Sequence, residues 1–218
     1  MKVWDWAYAW QILPDLLRAS LSTVGITLIG FMIAIVLGLF LALGRRSKHM
    51  WLAWPVTLVI EFIRSTPLLI QVYFLYYVLP NYGVNLSAMQ AGIVGIGLHY
   101  ACYIAEVYRG GLDAVPRNQW EAVIALNFAP WHAYRNIILP QALRPILPPL
   151  GNYLIAMLKD TPVLSAITVV EIMQQAKNLG SENFRYLEPI TLVGLFFLAL
   201  SVVLAYLVRR LELRLELR

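Results

Sequence analysis

Charged side chains are scarce in this sequence. Only 13% of its 218 residues are charged, whereas 60% are hydrophobic. A soluble domain of this length carries roughly a quarter charged residues, so the shortage excludes an ordinary soluble protein. Runs of about 20 apolar residues, enough to cross a hydrocarbon core of about 30 Å, recur along the chain. The composition therefore predicts an integral membrane protein.

Cysteine is almost absent as well. Cys102 is the single cysteine and lies inside an apolar run, which excludes a disulfide framework and a paired-cysteine metal site. The sequence also lacks a Gly-x-x-x-x-Gly-Lys-Ser/Thr segment, and therefore a phosphate-binding loop of that type. We expect this chain to bind no cofactor.

The usual signatures of catalysis are missing too. The three histidines, His49, His99 and His132, lie in different segments and form no His-Glu-x-x-His pair. No Gly-x-Ser-x-Gly stands out for serine chemistry. We predict neither an enzyme nor a metal site. Intramembrane proteolysis by a serine paired with His99 stays open as a minor alternative, which a serine-reactive probe would test.

Five hydrophobic runs predict five membrane spans. They cover approximately residues 17–44, 51–79, 87–108, 139–158 and 189–208. A first span of 28 residues would be about 42 Å long at 1.5 Å per residue, so it should tilt or protrude. The second run is interrupted by "EFIRSTP". Proline removes a backbone donor there, so we expect a kink or break.

Arginine and lysine cluster on one side of a protein with five spans. They occur after the first span, between the third and fourth, and after the fifth. The positive-inside rule assigns this side to the cytoplasm, which accounts for the basic charge without a nucleic-acid partner. We predict an external N-terminus, with residues 1–16 as an interfacial segment, and a cytoplasmic tail at 210–218. The acidic, aromatic start predicts no cleaved signal peptide; it suits an interfacial anchor, with receptor docking as the alternative.

The stretch "QWEAVIALNFAPWHAYRNIILPQAL" is too polar to span a bilayer. Pro116, just before it, suits the first turn of a helix, and Glu121 favours the N-terminal end of a helix dipole. A helical projection places four apolar residues on one face, namely Trp120, Val123, Ile124 and Phe128. We expect a short helix across the ends of the spans. An interfacial amphipathic helix without a partner remains the alternative.

Charged residues inside membrane spans are costly and therefore informative. Arg64 lies near the middle of the second run, three residues after Glu61, and Glu106 lies three residues before Arg109. Both spacings allow ion pairs along one helix face. Two interpretations stay open. These pairs hold helices in register, or Glu61, Arg64 and Glu106, together with Lys159 at the end of the fourth span, line a substrate path or gate.

The polar stretch resembles the cytoplasmic loop signature of bacterial ABC-transporter permeases. That signature reads Glu-Ala-Ala, then a glycine four residues after the last alanine, and later Ile-x-Leu-Pro. Glu121, Ala122, Leu139 and Pro140 match it, whereas Val123 replaces the second alanine. At the glycine position this sequence has Asn127. Asparagine is the non-glycine residue most tolerant of a positive φ, so a turn can form there.

The resemblance covers about residues 15–210. The segments "EFIRSTPLLIQVYFLYY", "AEVYRGGLDAVPRNQWEA", "LPPLGNYLIAMLKDTPVLSAI" and "FRYLEPITLVG" look like the histidine/glutamine/glutamate/arginine/opine permeases. Within that group, "YYVLPNYGV", "KDTPVLSAITVVEIMQQAKNLGS" and the asparagine at position 127 are most similar to ectoine and hydroxyectoine permeases.

The resemblance implies an all-α type I ABC importer permease fold. It implies a permease domain at 17–209, whose loop at about 113–138 forms a coupling helix for a separate ATPase. The implied coupling residues are Glu121, Ala122, Asn127, Leu139 and Pro140. The implied partners, in a bacterial inner membrane, are a pair of ATP-binding subunits that use ATP and Mg, a second permease (a paralogue or the same chain), an external solute-binding protein and the lipid bilayer.

The function that follows is ATP-driven uptake of a polar amino acid or a related zwitterion such as ectoine. The alternative is a channel or facilitator that needs no ATPase. Residues 169–188 are polar enough to lie outside the membrane. There they meet the solute-binding protein or form an ordinary external loop, and the sequence leaves both interpretations open.

Overall fold

The computed structural model describes residues 4–216, and in this range the chain is helical without a β-strand. The α-helices of the described range are α1 (Trp6–Arg45), α2 (Met50–Arg64), α3 (Leu68–Tyr73), α4 (Ala88–Asp113), α5 (Arg117–Ala125), α6 (Pro130–Ala133), α7 (Leu139–Asp160), α8 (Ile172–Asn183) and α9 (Leu187–Glu216).

Three of these helices, α1, α4 and α9, are each long and apolar enough to cross a membrane. Two bent pairs raise the number of possible spans to five. Met50–Arg64 and Leu68–Tyr82 meet at 107°, and Pro130–Ile167 and Ile172–Asn183 meet at 47°. The sequence therefore predicted the second span correctly as interrupted. Arg64 ends α2 at this break, because Pro67 cannot continue the α2 hydrogen bonds.

Helix α1 is longer than the predicted first span. It begins at Trp6, where the carboxylate of Asp5 accepts hydrogen bonds from the backbone N–H groups of Ala7 and Tyr8. Its 40 residues span about 60 Å at 1.5 Å per residue, twice a hydrocarbon core of about 30 Å. Residues 6–16, predicted as part of an external interfacial segment, thus continue the helix of the first span.

Small residues bring α1 and α4 into close contact. A Cβ atom on Gly38 would lie 2.9 Å from the carbonyl oxygen of Ala101, and one on Gly30 would lie 2.9 Å from Ile96. Such small residues allow helix backbones to approach each other in lipid, where dispersion contacts replace the hydrophobic effect. The α1–α4 pair therefore forms the centre of the bundle.

Helix α8 lies against the first half of α1. Its side chains Ile172, Ala176 and Leu179 are buried with Ile12 and Leu16 in one apolar cluster. The carboxylate of Glu171 begins the helix by accepting the backbone N–H of Gln174. Because its apolar residues are covered by the rest of the chain, α8 is part of the folded core.

Polar contacts of Glu188 join the start of α1 to the start of α9. The buried carboxylate of Glu188 accepts the backbone N–H of Asp5 at 3.0 Å and pairs with the guanidinium of Arg185. This hydrogen bond from the guanidinium raises the pKa of Arg185 above its ordinary value. The contact closes the end of the bundle opposite Arg45.

Candidate functional site

The break between α2 and α3 is stabilised by one side chain. The amide nitrogen of Gln71 donates to the backbone carbonyls of Ile63 at 2.8 Å and Thr66 at 3.0 Å. Its amide oxygen lies 3.0 Å from Nδ1 of His99 on α4. Backbone groups freed at a break must find partners when water is excluded. Gln71 therefore satisfies the broken backbone and joins it to α4.

A polar pocket lies beside this break, between α4 and α7. Its volume is about 170 Å³, several times the roughly 30 Å³ that one water molecule occupies in the liquid. The pocket is lined by His99, Tyr100, Tyr103, Tyr153, Ala156 and Asp160.

The hydrogen bond between the two walls of this pocket joins the middle of α4 to the end of α7. The hydroxyl of Tyr100 donates to the Asp160 carboxylate at 2.6 Å. The ring of Tyr153 lies 6.0 Å from that of Tyr100 and 5.7 Å from that of Tyr103. A carboxylate and three aromatic rings can together bind a cation, through ion pairing and through the negative faces of the rings.

Arginines and carboxylates form a network where α1, α2 and α4 meet. Glu61 lies 3.8 Å from Arg64, and Glu106 lies 3.0 Å from Arg109, so both predicted ion pairs are confirmed. Arg45, at the end of α1, joins them at 3.3 Å from Glu61 and 2.5 Å from Glu106. We call this set the arginine network; its members are Arg64, Glu61, Arg45, Glu106, Arg109, Asp113 and Arg46.

The network extends to the last residue of α4. Arg109 binds Asp113 at 3.0 Å, and Arg46 also pairs with Asp113. Only residues 114–116 separate Asp113 from α5. The network therefore holds the end of α4 that leads directly into α5.

Helix α5 lies at the surface of the described chain. Pro116 precedes it as the N-cap instead of occupying its first turn, and the helix has no buried residue. Glu121 and Ala122 both face solvent. In the turn that follows, Asn127 adopts a φ of 52°, the left-handed conformation that the sequence predicted this asparagine can tolerate.

The predicted apolar face of α5 was only partly right. Trp120 packs against the cluster around Ile138 and Ala142, but Ile124 remains 78% exposed. Phe128 lies beyond the end of the helix, where its ring stacks on His132 at 5.3 Å. The helix ends too early for the projection to hold, because Leu126 is already its C-cap.

The remaining predicted residues lie at the two ends of α7. Leu139 and Pro140 are the first two residues of α7 and directly follow the π-helical turn Tyr134–Ile138. Lys159 is exposed at the other end and, within residues 4–213, forms no ion pair. Asp160, one residue later, is the residue that faces the pocket.

Prediction from sequence missed the pocket residues themselves. His99, Tyr100 and Tyr103 follow one another on α4 at spacings of one and three residues, and Tyr153 precedes Asp160 by two helical turns. This repetition of polar aromatics within two apolar helices was the available signal. Prediction also treated Arg45 only as an indicator of orientation. Among the described residues there is no group of three or more side chains suited to hold a metal ion.

The chain is similar to known membrane transport proteins. Residues 34–217 match the family model described as the binding-protein-dependent transport system inner membrane component. The chain is 44% identical to the probable amino-acid ABC transporter permease protein y4tG of Sinorhizobium fredii, over 97% of this chain and 92% of that protein. It is 37% identical to the glutamine transport system permease protein GlnP of Escherichia coli, over 97% and 98% of the two chains.

Solved structures show the same fold. A chain from the crystal structure of an amino acid ABC transporter with histidines superposes with a TM-score of 0.92 at 31% identity, covering 97% of this chain and 99% of that one. A chain of the MetNI methionine ABC transporter in an inward-facing conformation superposes with a TM-score of 0.79 at 20% identity, covering 94% and 98%.

Proposed function

This chain belongs to the binding-protein-dependent transport system inner membrane components and is a permease subunit of an amino-acid ABC importer, and we propose that its polar pocket binds the transported solute. The observation that carries the proposal is the hydrogen-bonded pair of Tyr100 and Asp160 between three tyrosine rings. An isolated polar group inside apolar helices is costly, so such a cluster requires a functional explanation.

The pocket suits a small zwitterion. The carboxylate of Asp160 and the tyrosine rings attract an ammonium or amidinium group, while the hydroxyl of Tyr153, which lines the same pocket, can donate a hydrogen bond to a carboxylate. Ectoine and hydroxyectoine carry both groups and are our first choice. Glutamine, arginine and histidine are the second choice, and the name of the glutamine permease that this chain resembles supports them.

The energy for transport comes, in this proposal, from a separate pair of ATPase subunits that bind ATP and Mg. Helix α5, the turn after it and α6 present Ile124, Leu126 and Trp131, which are 78%, 67% and 74% exposed. Glu121 and Ala122 lie beside them. An exposed apolar patch of this kind marks a contact with another protein, and the small side chain of Ala122 permits close approach. We assign Glu121, Ala122, Asn127, Leu139 and Pro140 to this coupling surface.

Orientation and the other partners follow from the two ends of the bundle. The arginine network faces the cytoplasm under the positive-inside rule, which places α5 next to the ATPase and the Asp5 end outside. An external solute-binding protein delivers the solute at the Asp5 end. A second permease, a paralogue or another copy of this chain, completes the path, because the pocket of one chain opens between only two helices, α4 and α7.

The other charged residues have a supporting part in this proposal. Glu61, Arg64 and Glu106 belong to the gate formed by the arginine network, and Lys159 stands at the outer end of the path beside Asp160. The ion pairs hold α1, α2 and α4 in register at the same time. Both earlier interpretations therefore apply to the same residues.

Reconstitution with and without the ATPase tests the proposal. The complex is purified through this chain, placed in vesicles, and supplied with its solute-binding protein, radiolabelled L-glutamine, L-histidine or ectoine, and ATP. We expect uptake of one of these zwitterions only when the ATPase and ATP are present. Uptake by the purified chain alone would establish the channel alternative, and a binding protein that recognises only a sugar or a metal ion would refute the zwitterion.

A variant pair then tests the pocket. Asp160→Asn keeps an acceptor for Tyr100 and nearly the same shape but removes the negative charge. Hydrogen bonds to charged groups contribute about 1.5–3 kcal/mol, so uptake should fall by about tenfold or more. Asp15→Asn, on the half-exposed surface of α1, is the control and should transport normally. Equal uptake by the Asp160→Asn and Asp15→Asn variants would show that the pocket is not part of the transport path.

A further inference from the structure

Arg64 has more hydrogen-bonding capacity than its surroundings use. Its Nη1 atom lies 3.8 Å from Glu61, which is a long ion-pair distance, and its guanidinium carbon lies 5.3 Å from the centre of the Tyr103 ring. Its Nε atom is buried and has no hydrogen-bond partner among the described residues. Buried donors are nearly always paired. Arg64 is thus held by two weak contacts on opposite sides.

Tyr103 is the side chain shared by the pocket and Arg64. Its ring lines the pocket and lies 5.1 Å from the ring of His99 and 5.7 Å from that of Tyr153. Its hydroxyl donates to the backbone carbonyl of Arg64 at 3.4 Å. A solute that enters the pocket must press on this ring, and the ring is one of the two attachments of the guanidinium.

Glu61 is the shared member on the other side of Arg64. Its carboxylate lies between Arg64 at 3.8 Å and Arg45 at 3.3 Å, and Arg45 also binds Glu106. Both arginines contact the same oxygen of Glu61, Oε1. A closer approach of Arg64 therefore brings two guanidinium groups together at one oxygen, and their repulsion weakens the hold of Glu61 on Arg45. The change reaches α4 through Glu106, which also binds Arg45.

We propose that Tyr103 and Arg64 relay the occupancy of the polar pocket to the arginine network at the base of α5. In this structure the guanidinium lies over Tyr103. When a solute displaces the ring, Arg64 loses this cation–π contact and moves to Glu61, and the weaker contact between Glu61 and Arg45 changes how the network holds α4 against α1. The inference rests on the proposed function, because it requires the transported solute to occupy this pocket.

The relay needs arginine specifically. A planar guanidinium can stack on an aromatic ring while its edge N–H groups bind a carboxylate. A lysine ammonium is a compact point charge and cannot serve both contacts at once. Arg64→Lys therefore keeps the charge in place but should break the relay. This distinguishes a relay from a charge that only stabilises the fold.

The test measures how strongly a solute-loaded binding protein stimulates ATP hydrolysis in the reconstituted complex. The solute is whichever of L-glutamine, L-histidine and ectoine the wild-type complex takes up, and each variant is normalised to its own unstimulated rate. Couplings between sites typically correspond to factors of about 5 to 150. We expect stimulation to fall at least about fivefold in Arg64→Lys and in Arg64→Gln. Arg209→Lys, an exposed arginine with a comparable ion pair at 3.6 Å, is the matched control and should be stimulated normally.

Variants of Tyr103 test whether the two residues act in series. Tyr103→Phe keeps the ring and should retain stimulation, whereas Tyr103→Leu removes it and should lower stimulation as Arg64→Gln does. The double variant Tyr103→Leu/Arg64→Gln should be no worse than either single variant. Normal stimulation of Arg64→Lys at normal complex abundance would overturn the relay, and so would losses that multiply in the double variant.

The outcomes distinguish a failure of the relay from a failure of the proposed function. If Asp160→Asn lowers uptake while Arg64→Lys is stimulated normally, the relay is wrong and the pocket stands. If Asp160→Asn leaves uptake unchanged, the proposed function is wrong and the relay falls with it.

Discussion

Two short helices, α5 and α8, connect the long helices of this protein, and they differ in what covers them. Helix α8 buries Ile172, Ala176 and Leu179 against α1. Helix α5 buries none of its residues, and its Ile124 is 78% exposed. Folding alone explains the apolar residues of α8, since they complete the core. In α5, Trp120 packs on the cluster around Ile138, but Ile124 remains exposed, which is the property expected of a surface that meets another protein.

The same acidic substitution in the two helices should give the sharpest contrast. In α8, Ala176→Asp places a charge at a position with no solvent exposure. An unpaired buried charge costs about 3–5 kcal/mol, so little folded protein should remain in the membrane. Immunoblotting of membrane fractions measures this, with Ser181→Asp, on the exposed surface of α8, as the control. Wild-type abundance of Ala176→Asp would show that α8 is not a core helix.

In α5, Ala122→Asp should leave abundance normal and abolish function. The side chain faces solvent in the single chain, so the fold does not lose a contact. At a desolvated contact with an ATPase an unpaired charge costs several kcal/mol, and uptake should fall by more than about tenfold. Retention of the ATPase subunit in membranes is the second measurement.

The control for Ala122→Asp is Asn118→Asp, which adds the same charge to the exposed first turn of α5. A negative charge there favours the helix dipole, so the control should behave as wild type. A passive interfacial helix predicts instead that Ala122→Asp keeps both the ATPase and normal uptake, and that result would end the docking interpretation.

Removing an exposed charge from each helix should have a smaller effect. Glu121→Ala deletes a polar contact that is typically worth under about 1 kcal/mol, so uptake should fall by less than about fivefold. Glu182→Ala on the exposed side of α8 should not change uptake. The measurement is the initial uptake rate of each variant at equal membrane abundance. A loss beyond about tenfold for Glu121→Ala would show that its carboxylate is buried in the complex.

Glycine substitutions at the ends of the two helices should have the smallest effects. Phe184 ends α8 with a φ of 52° and is 91% exposed, and Asn127 follows α5 with the same φ. A left-handed conformation costs most residues roughly 1–2 kcal/mol, but asparagine less. Glycine itself costs about 0.5–1 kcal/mol in backbone entropy. Thermal unfolding of the purified protein should therefore show a small stabilisation for Phe184→Gly, by up to about 1 kcal/mol. Asn127→Gly should change little, and a clear destabilisation by Phe184→Gly would contradict the assignment of strain.

Features formed by residues close together in the chain could be predicted from the sequence. Hydrophobic runs located the helices, Pro67 located the break after α2, and the three-residue spacing of Glu61 and Arg64 predicted their ion pair. The left-handed turn at Asn127 followed from the backbone preference of asparagine. Each of these features depends on residues within a few turns of one another, so helix periodicity and local hydrogen bonding are sufficient to predict it.

Only the tertiary structure decided which of these residues share a site. Tyr100 and Asp160 are separated by 60 residues and meet because α4 packs on α7. Arg45 and Glu106 are separated by 61 residues and meet because glycines bring α1 close to α4. The periodicity of one helix shows which face is apolar, but not which other helix that face will contact. Helix pairing depends on the complementary shapes of two surfaces, and these are set by side chains far apart in the chain.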